Sequence, residues 1–459
     1  MSQQNETTKS QLYDALKQFF AFLEARGFST RTEEIPVSDA LGHVSARAVY
    51  AGRDTEGSGS GKMILQSYLE IEPAMIAALR MGGVQTVSVL AKPRVGIVFE
   101  ETPAFEREEE ARSASAALYC AMLSRWGAAG VVYPGETKPD AEQFARLRAA
   151  RECDLVLLCV DTKRDVPADV LSAHGVLCVD GIAIHPGGDT ALGAIGSVPV
   201  VCMADDPASG IVALDELVKP VLDRLLMRER TIAESICVKM GIDYASAPDE
   251  RAFVRAKLAF DPEGSLIVLP IPAEKNTAEH LDKADCILDV PFGCAGYAAG
   301  ERAHVRLLKP IDRIARTIRI RGDYDPMLDE VADELRRSDI RAYVDREAED
   351  ALCALEALQR GECHLCGVYL PDDADGIAWI AQRVPDGGVA LVEGVRRLDV
   401  KENPPTERAY DLVVSLAAME NAQVRAFLRV LGSDAFSRRL EARGGYRADK
   451  PGRIKKIWP

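Results

Sequence analysis

Polar side chains that could take part in chemistry gather between residues 161 and 209. They are Asp161, His185, Gly187, Gly188, Asp189, Asp205, Asp206 and Ser209. Carboxylates and imidazoles can transfer protons, and paired carboxylates can hold Mg²⁺ through their oxygens. Asp161 and His185 are therefore candidate catalytic residues, and Asp205 with Asp206 is a candidate Mg²⁺ site. The remaining residues, together with Asp206, are candidates for cofactor binding, because backbone N–H groups in glycine turns and at helix starts can hold anions.

Each candidate also has an ordinary structural explanation. His185 would be a surface histidine in a Gly/Pro turn, and Asp161 would be a solvated acid after a strand. Asp206 suits the N-cap of a helix, with Asp205 as its solvated neighbour. Two carboxylates at a helix start would also repel a bound phosphate. Both explanations stay open from the sequence.

A strand, a turn and a helix are predicted to position these residues. Residues 198–203 form a short apolar, β-branched run, which is typical of a buried strand. Pro207 suits the first helical position, where a missing N–H costs nothing. Apolar residues then recur at intervals of three and four from Ile211 to Leu225, which predicts an amphipathic helix. This geometry places free backbone N–H groups where α/β proteins bind anions.

The composition is typical of a multidomain globular protein. The chain has 459 residues, 47% of them hydrophobic and 28% charged, which predicts about three or four domains. A net charge of −15 argues against nucleic acid or an anionic membrane as a partner. Apolar runs have the length of strands, and the polar N-terminus has no apolar signal core. Eleven scattered cysteines fit a reducing cytoplasm.

Periodicity organises the first half of the chain. Helices are predicted over residues 8–27 and 72–84, and the stretch at 51–61, which contains GSGSG, is expected to be a flexible linker. Residues 93–226 alternate strands and helices, including a helix at 139–150. This alternation predicts a doubly wound parallel sheet with helices on both faces.

The pattern changes twice in the second half. Residues 228–309 contain short apolar runs separated by turns, which predict a small β-domain. Residues 313–459 return to an α/β pattern. The strands predicted there cover residues 317–321, 364–369 and 389–395, and the helices cover residues 326–337, 424–431 and 433–443.

The order of these regions and several local phrases resemble the MoeA/gephyrin family of molybdopterin molybdotransferases. The similar segments are Leu41-Gly42, Lys92-Pro93-Arg94-Val95, residues 183–196, residues 199–220 and residues 228–309. The resemblance covers residues 12–309. It implies a cytoplasmic homodimer that inserts molybdate into adenylylated molybdopterin with the help of Mg²⁺.

The chain differs from this family's pattern at its polar motifs. The family's Lys-Pro-Gly-Lys is replaced by His185-Pro186-Gly187-Gly188, and its Pro-Gly-Asn-Pro by Ala204-Asp205-Asp206-Pro207. The other altered motifs are Glu100-Glu101-Thr102-Pro103, Ser113-Ala114-Ser115 and Val160-Asp161-Thr162-Lys163. GSGSG also stands where the family has an Asp-rich phrase, so we expect its lid-like second domain to be missing. Lost cations and added carboxylates predict weaker polyanion binding, by about 1 kcal/mol or more per contact.

The last third is similar to the periplasmic-binding-protein-like domain that some members of the family carry as a fusion. The segments that carry this resemblance are residues 325–329, 360–367, 410–413 and 444–446. After Arg396 the chain passes almost directly to Tyr410-Asp411-Leu412-Val413, so the second lobe of such a domain is expected to be absent. A clamshell needs two lobes to enclose a ligand.

Together these features predict a multidomain α/β protein with four parts. They are a reduced MoeA N-terminal domain at 1–92, a molybdopterin-binding-like α/β domain at 93–227, a MoeA C-terminal-like β-domain at 228–310 and a truncated binding-protein-like domain at 311–459. One hypothesis is a MoeA-type protein that binds molybdopterin or molybdate, with Mg²⁺ if it is active. The alternative is a non-catalytic dimeric scaffold, regulator or sensor whose partner is an intact MoeA or another cofactor-pathway protein.

Overall fold

The computed structural model describes most of the chain. The described ranges are 9–50, 61–99, 106–133, 149–162, 166–229, 234–260, 264–272, 278–338, 341–370, 374–399, 406–448 and 451–459. The predicted linker and the predicted helix at 139–150 lie almost wholly outside these ranges, and Glu100-Glu101-Thr102-Pro103 lies entirely outside them. The predicted multidomain α/β fold class is confirmed.

The first helix packs on the first large sheet. Helix α1 (Leu12–Ala25) ends where Gly27 adopts a φ of 76°, a left-handed conformation that glycine adopts without strain. Its apolar face, which includes Phe19 and Leu23, is buried in the core beneath that sheet. The predicted helix is confirmed.

A small unit with its own core follows. Its elements are β1 (Thr32–Pro36), the 3₁₀ turn Val37–Asp39, β2 (Val49–Tyr50), β3 (Met63–Leu65), α2 (Pro73–Met81) and β4 (Thr86–Leu90). Strands β2 and β3 pair antiparallel, so Val49 lies opposite Leu65.

The first large sheet has six strands in the order β6-β5-β7-β11-β10-β8. These are β5 (Arg94–Phe99), β6 (Ala129–Tyr133), β7 (Leu155–Val160), β8 (Val176–Asp180), β10 (Ala191–Ile195) and β11 (Val198–Ala204), with the short β9 (Ile184–His185) outside the sheet. The prediction of a wholly parallel sheet is wrong for β10, which runs antiparallel to both neighbours. Gly196, with a φ of 65°, and Ser197 turn β10 directly into β11 as a tight hairpin.

Helices cover both faces of this sheet. Helix α3 (Glu106–Arg125) packs on the same face as α1, and α4 (Pro167–His174) packs on the other. The helix predicted after Pro207 is α5 (Pro207–Ala213), a π-helical turn at Leu214–Val218 and α6 (Lys219–Leu225). Pro220 has no N–H for a regular helical bond, and the wider turn is compatible with that loss.

A barrel follows, built from β12 (Ser235–Met240), β14 (Arg251–Phe260), β15 (Leu266–Pro270), β16 (Cys286–Val290) and β18 (Arg302–Leu307). Strands β13 (Tyr244–Ala245) and β17 (Gly296–Tyr297) pair with each other as a separate two-stranded sheet. Strand β15 pairs with both β12 and β14, so β15, β12, β18, β16 and β14 form a closed ring. Strand β9 pairs in parallel with the start of β14, with His185 opposite Ala252. The barrel is thereby joined to the first α/β unit by backbone hydrogen bonds.

The C-terminal region forms a seven-stranded sheet in the order β20-β19-β21-β23-β22-β24, with β25 also on β22. Its strands are β19 (Thr317–Gly322), β20 (Tyr343–Ala348), β21 (Leu365–Leu370), β22 (Val389–Asp399), β23 (Thr406–Ser415), β24 (Tyr446–Arg447) and β25 (Ile454–Trp458). Its helices are α7 (Ile311–Ala315), α8 (Met327–Arg337), α9 (Ala351–Gln359), α10 (Ala374–Arg383), α11 (Leu416–Met419), α12 (Ala422–Leu431) and α13 (Asp434–Arg443). Helices α8, α12 and α13 pack on one face, and α9 and α10 pack on the other.

Buried ion pairs connect this region to the barrel. The Asp285 carboxylate accepts hydrogen bonds from Arg319 and Lys309, each at 2.9 Å. Lys257 of β14 donates to Asp345 at 2.7 Å and to Glu347 at 3.1 Å, both on β20. Because these charges are largely withdrawn from water, they require their partners and fix one docking geometry.

Candidate functional site

The predicted acidic residues lie together at the carboxyl edge of the first sheet. Strands β7 and β11 are parallel neighbours, with Ala204 opposite Val160, and the Asp205 N–H donates to the Val160 carbonyl at 2.7 Å. Asp161 follows β7 and lies near enough to Asp205 to affect its ionisation. This edge is where ligands bind in open α/β sheets.

Asp205 is paired inside the protein. Its Oδ2 lies 3.1 Å from the Nε of Arg112 on α3, and both side chains are largely buried. Burial raises the pKa of the Asp205 carboxyl, Arg112 opposes that shift, and the charges of Asp161 and Asp206 add to it. Sequence analysis did not assign Arg112 to this site. Its guanidinium is paired with the Asp205 carboxylate of the protein itself.

Asp206 caps helix α5, as predicted. Its Oδ2 accepts from the backbone N–H and the hydroxyl of Ser209, each at 2.8 Å. Both carboxylates of the candidate Mg²⁺ site thus have protein partners. No group of three or more His, Cys, Asp or Glu side chains suited to a metal occurs in the described part of the chain. The Mg²⁺ role of Asp205 and Asp206 stays a prediction that this donor set does not favour.

The turn after β9 packs against the start of α5. Gly187 has a φ of 95°, and its carbonyl accepts from the Thr190 hydroxyl at 2.7 Å. A Cβ on Gly187 would lie 3.5 Å from the Ser209 carbonyl, so the predicted cofactor-binding residues of the turn and helix are neighbours. The left-handed Gly187 allows the turn this close approach.

Lys9 reaches the same turn from the N-terminal end of the described chain. Its Nζ donates to Asp189 at 2.9 Å, between two exposed side chains. A Cβ on Gly188 would lie 2.8 Å from the same Nζ. Sequence reasoning missed this lysine because the two partners are 180 positions apart.

His185 lies in strand β9, which pairs with β14 of the barrel. Its side chain is 58% exposed, and its Nδ1 is 3.6 Å from Glu250 in the loop before β14. Its charged neighbour is therefore a residue of the barrel. A catalytic role for His185 and Asp161 stays a prediction.

A cleft of about 230 Å³ opens between the first α/β unit and the barrel. Its lining includes His185 and Pro186 from the turn, Ala208 and Ile211 from α5, and Phe253 and Arg255 from β14. Most of this surface is apolar. The shape and chemistry suit a small, partly aromatic ligand with a few polar groups.

Arg255 is the main charged group of the cleft that sequence reasoning missed. It is 8% exposed, and burial lowers the pKa of its guanidinium, with Asp282 opposing that shift. In the sequence it stands in the run FVRAKLAF and looks like an ordinary strand residue. The available signal was a pair of charged side chains, Arg255 and Lys257, inside a mostly apolar strand.

An ion pair also connects the first α/β unit to the barrel beside the cleft. Glu216, 3% exposed in the π-helical turn, lies 2.7 Å from Arg306 of β18. The guanidinium carbons of Arg306 and Arg251 each lie 5.2 Å from the Phe253 ring centroid, within cation–π range. The π-helical turn thus places a buried carboxylate on the barrel beside the cleft.

The protein is a multidomain α/β protein in which strand β9 joins the first α/β unit to a closed β-barrel. Residues 238–308 match the family described as MoeA C-terminal region (domain IV). The chain is similar to the molybdopterin molybdenumtransferase of Bacillus subtilis, at 24% identity over 55% of this chain and 61% of the relative. It is also similar to molybdopterin molybdenumtransferase 2 of Mycobacterium tuberculosis, at 22% identity over 60% and 73%.

The solved structure of a molybdopterin biosynthesis MoeA protein from Pyrococcus horikoshii has the same fold. The TM-score is 0.50 at 19% identity, over 66% of this chain and all of that one. Residues 238–308 thus match a MoeA domain, and the relatives and the solved structure that the chain resembles are molybdenum cofactor proteins of the MoeA type. The chain spans about three-fifths of the Bacillus subtilis relative. None of the described helices is both long and apolar enough to cross a membrane.

Proposed function

We propose that this chain is a non-catalytic, MoeA-like protein of molybdenum cofactor biosynthesis that binds a molybdopterin-type ligand in the cleft beside Arg255. The observation that carries the proposal is the state of the two carboxylates after β11. Asp206 caps the helix start with its own side chain, and Asp205 holds Arg112. A phosphate of the ligand would have to displace one carboxylate and lie beside another.

Charge supports a loss of catalysis at this edge. A carboxylate near a bound phosphate costs about 1 kcal/mol even in water and more where the site is dry. The lysine that reaches the turn, Lys9, is paired with Asp189. The His185–Gly188 turn carries no lysine of its own. The edge therefore offers a polyanion little of the positive potential that a transfer reaction requires.

The cleft supports retained binding. Arg255 is buried in a mostly apolar wall, where a guanidinium interacts strongly with an oxyanion. The ring of a ligand would find apolar contacts with Phe253 and Pro186. We expect a protein that keeps the ligand-binding cleft but has carboxylates where phosphates would lie to bind its ligand without catalysing a reaction.

The partner assignments belong to the same proposal. The resemblance to MoeA proteins supports a homodimer, and the barrel and C-terminal surfaces would serve as a scaffold for an intact MoeA or another cofactor-pathway protein. A mass near twice 49.9 kDa by light scattering at micromolar concentration supports the dimer, and a monomer contradicts it.

Calorimetric titration of molybdopterin and of its adenylylated form, with Mg²⁺ present, tests the ligand. We expect binding that Arg255→Gln weakens by roughly tenfold or more, since it removes a buried charged donor. Arg302→Gln, on the exposed part of β18, is the matched control and should bind as the unmodified chain does. An absence of binding contradicts the ligand assignment and leaves the scaffold role.

A molybdate-insertion assay tests the loss of catalysis. We expect no product above background from the purified chain. Measurable insertion that is lost in Asp161→Ala or His185→Ala would contradict the proposal and favour a rebuilt active site. Asp205→Asn should tighten ligand binding, because it removes a negative charge from the edge while keeping the side-chain shape.

A further inference from the structure

The C-terminal sheet has a topological switch point of its own. Strand β19 leads into α8 on one face, and its parallel neighbour β21 leads into α10 on the opposite face. Two adjacent strands whose connections leave to opposite faces form a switch point. Open α/β sheets bind ligands just outside the carboxyl ends of such strands.

Polar side chains from three strands meet at this point. Asp325, in the loop after β19, is fully buried. Its carboxylate accepts from the Tyr369 hydroxyl of β21, from the Tyr446 hydroxyl of β24 at 3.1 Å and from the Met327 N–H at 2.8 Å. Asp323 accepts from the Tyr369 N–H at 3.0 Å. The two carboxylates at the switch point therefore already have protein donors.

Arg397 of β22 supplies the free positive side. Its Nη1 donates to the Tyr369 hydroxyl at 3.2 Å and lies 3.7 Å from the Asp325 Oδ2. Its side chain is 50% exposed, whereas Asp325 is buried beneath it. A guanidinium has five N–H donors in a rigid fork. These contacts use one nitrogen, so the fork is held in place while donors remain toward solvent.

We propose that this switch point, formed by Arg397, Tyr369 and Asp325, binds a small molecule through an oxyanion, either a carboxylate or a tetrahedral oxyanion. The oxyanion accepts from the Arg397 fork as a bidentate partner. The buried Asp325 keeps the guanidinium oriented, which lowers the entropy lost on binding. The site lies in a different region from the cleft at Arg255 and does not depend on the function proposed for that cleft.

Titration of the full-length chain with phosphate, molybdate and succinate tests the site and separates tetrahedral oxyanions from carboxylates. We expect at least one of them to bind, with slower amide exchange in β19, β21 and β22. Arg397→Gln should weaken that binding by roughly tenfold or more, and Arg397→Lys should recover only part of it. Arg341→Gln is the matched control, since Arg341 is exposed and precedes β20, at the sheet edge opposite the carboxyl ends of β19 and β21.

Two results would overturn the proposal. One is no binding of any probe up to about 10 mM, well beyond the millimolar affinity of a weak specific site. The other is binding that Arg255→Gln abolishes and Arg397→Gln leaves unchanged, which would place the oxyanion in the cleft. Unaltered amide exchange away from the switch point in Arg397→Gln shows that a loss of binding is not a loss of folding.

Discussion

The two α/β sheets of this chain use the acidic residues at their carboxyl edges differently. In the first sheet, Asp205 draws Arg112 inward, so that the arginine side chain is 20% exposed. In the C-terminal sheet, Asp325 is buried beneath Arg397, and that arginine side chain stays 50% exposed. The first edge buries its cation and leaves Asp206 outside. The second edge buries its carboxylate and leaves its cation outside.

The difference shows that the same kind of sheet edge can be closed or open to an anion. Whether the edge is closed or open depends on whether the carboxylate or the arginine of the ion pair has additional partners in the protein. Asp325 has two tyrosine hydroxyls and a backbone N–H as additional donors, so it can be buried completely. Among the described residues, Asp206 bonds to Ser209 in the first turn of α5, and its side chain stays exposed. The site at the first edge is thereby filled by the chain's own side chain.

Removing the two carboxylates should separate these cases most clearly. Asp325→Ala leaves buried donors without an acceptor and should lower the unfolding free energy around β19 by about 3–5 kcal/mol. Asp206→Ala removes a helix cap and should cost about 1 kcal/mol around α5. Region-resolved amide hydrogen exchange measures both values.

Asp325→Asn is the control, because it keeps the shape and one acceptor oxygen. We expect an intermediate cost. Equal costs for Asp325→Ala and Asp206→Ala would remove the contrast between a buried and an exposed carboxylate.

Acid should act on the two regions in opposite directions. His364, whose Nδ1 accepts from the Arg319 N–H at 3.0 Å, has a pKa lowered to about 4, by burial first and by Arg319 second. The unfolded chain binds that proton at about pH 6.5, so the contribution of neutral His364 is complete above that pH and is lost as the pH falls toward 4. The loss is up to about 3 kcal/mol.

At the first edge, burial raises the pKa of the Asp205 carboxyl. The folded state therefore holds its proton more tightly than the unfolded chain, and local stability rises as the pH falls through the folded pKa. Amide exchange around β21 and β11 between pH 7 and pH 4.5 measures the two trends. His364→Asn should flatten the first trend and Asp205→Asn the second. Parallel trends in both regions would contradict the assigned ionisations.

Local pattern predicted much of the fold. The Asp206 cap and the helix after Pro207 depend on neighbours in sequence, and both are confirmed. The reversed strand β10 was missed because the region was read as strand–helix repetition, although Gly196-Ser197 is a hairpin turn. Strand β20 was missed as well, since its six residues, YVDREA, carry three charges.

The sites were harder to predict because their partners are distant in the chain. Arg112 is 93 positions from Asp205, and Tyr369 is 44 positions from Asp325. Neither pair has a spacing that a local motif could reveal. Arg255 is buried because the barrel closes into a ring. The residue pattern of a single strand cannot predict that closure.

A matched pair of glycines gives the finest test of the comparison. Gly210 in α5 packs on the Tyr119 hydroxyl, and Gly367 in β21 packs on the Tyr410 hydroxyl, so a Cβ on either glycine would overlap that hydroxyl. Gly210→Ala and Gly367→Ala should each cost about 1–3 kcal/mol, the usual range for overpacking. Thermal unfolding and amide exchange measure the loss.

Tyrosine-to-phenylalanine changes should distinguish the two positions. Tyr119→Phe removes the nearest obstructing atom but leaves the Tyr119 ring carbons Cζ and Cε1 at 2.6 and 2.9 Å from the new Cβ, so it should recover part of the loss in Gly210→Ala. Tyr410→Phe should recover less in Gly367→Ala, because the Tyr410 hydroxyl donates to the Asp323 carbonyl at 2.7 Å and that carbonyl would itself lie 2.9 Å from the new Cβ. Equal recovery in both double-mutant cycles would mean that the hydroxyl at the C-terminal switch point only fills space. Unequal recovery would show that Tyr410 also holds the Asp323 loop in the position that the Arg397 site requires.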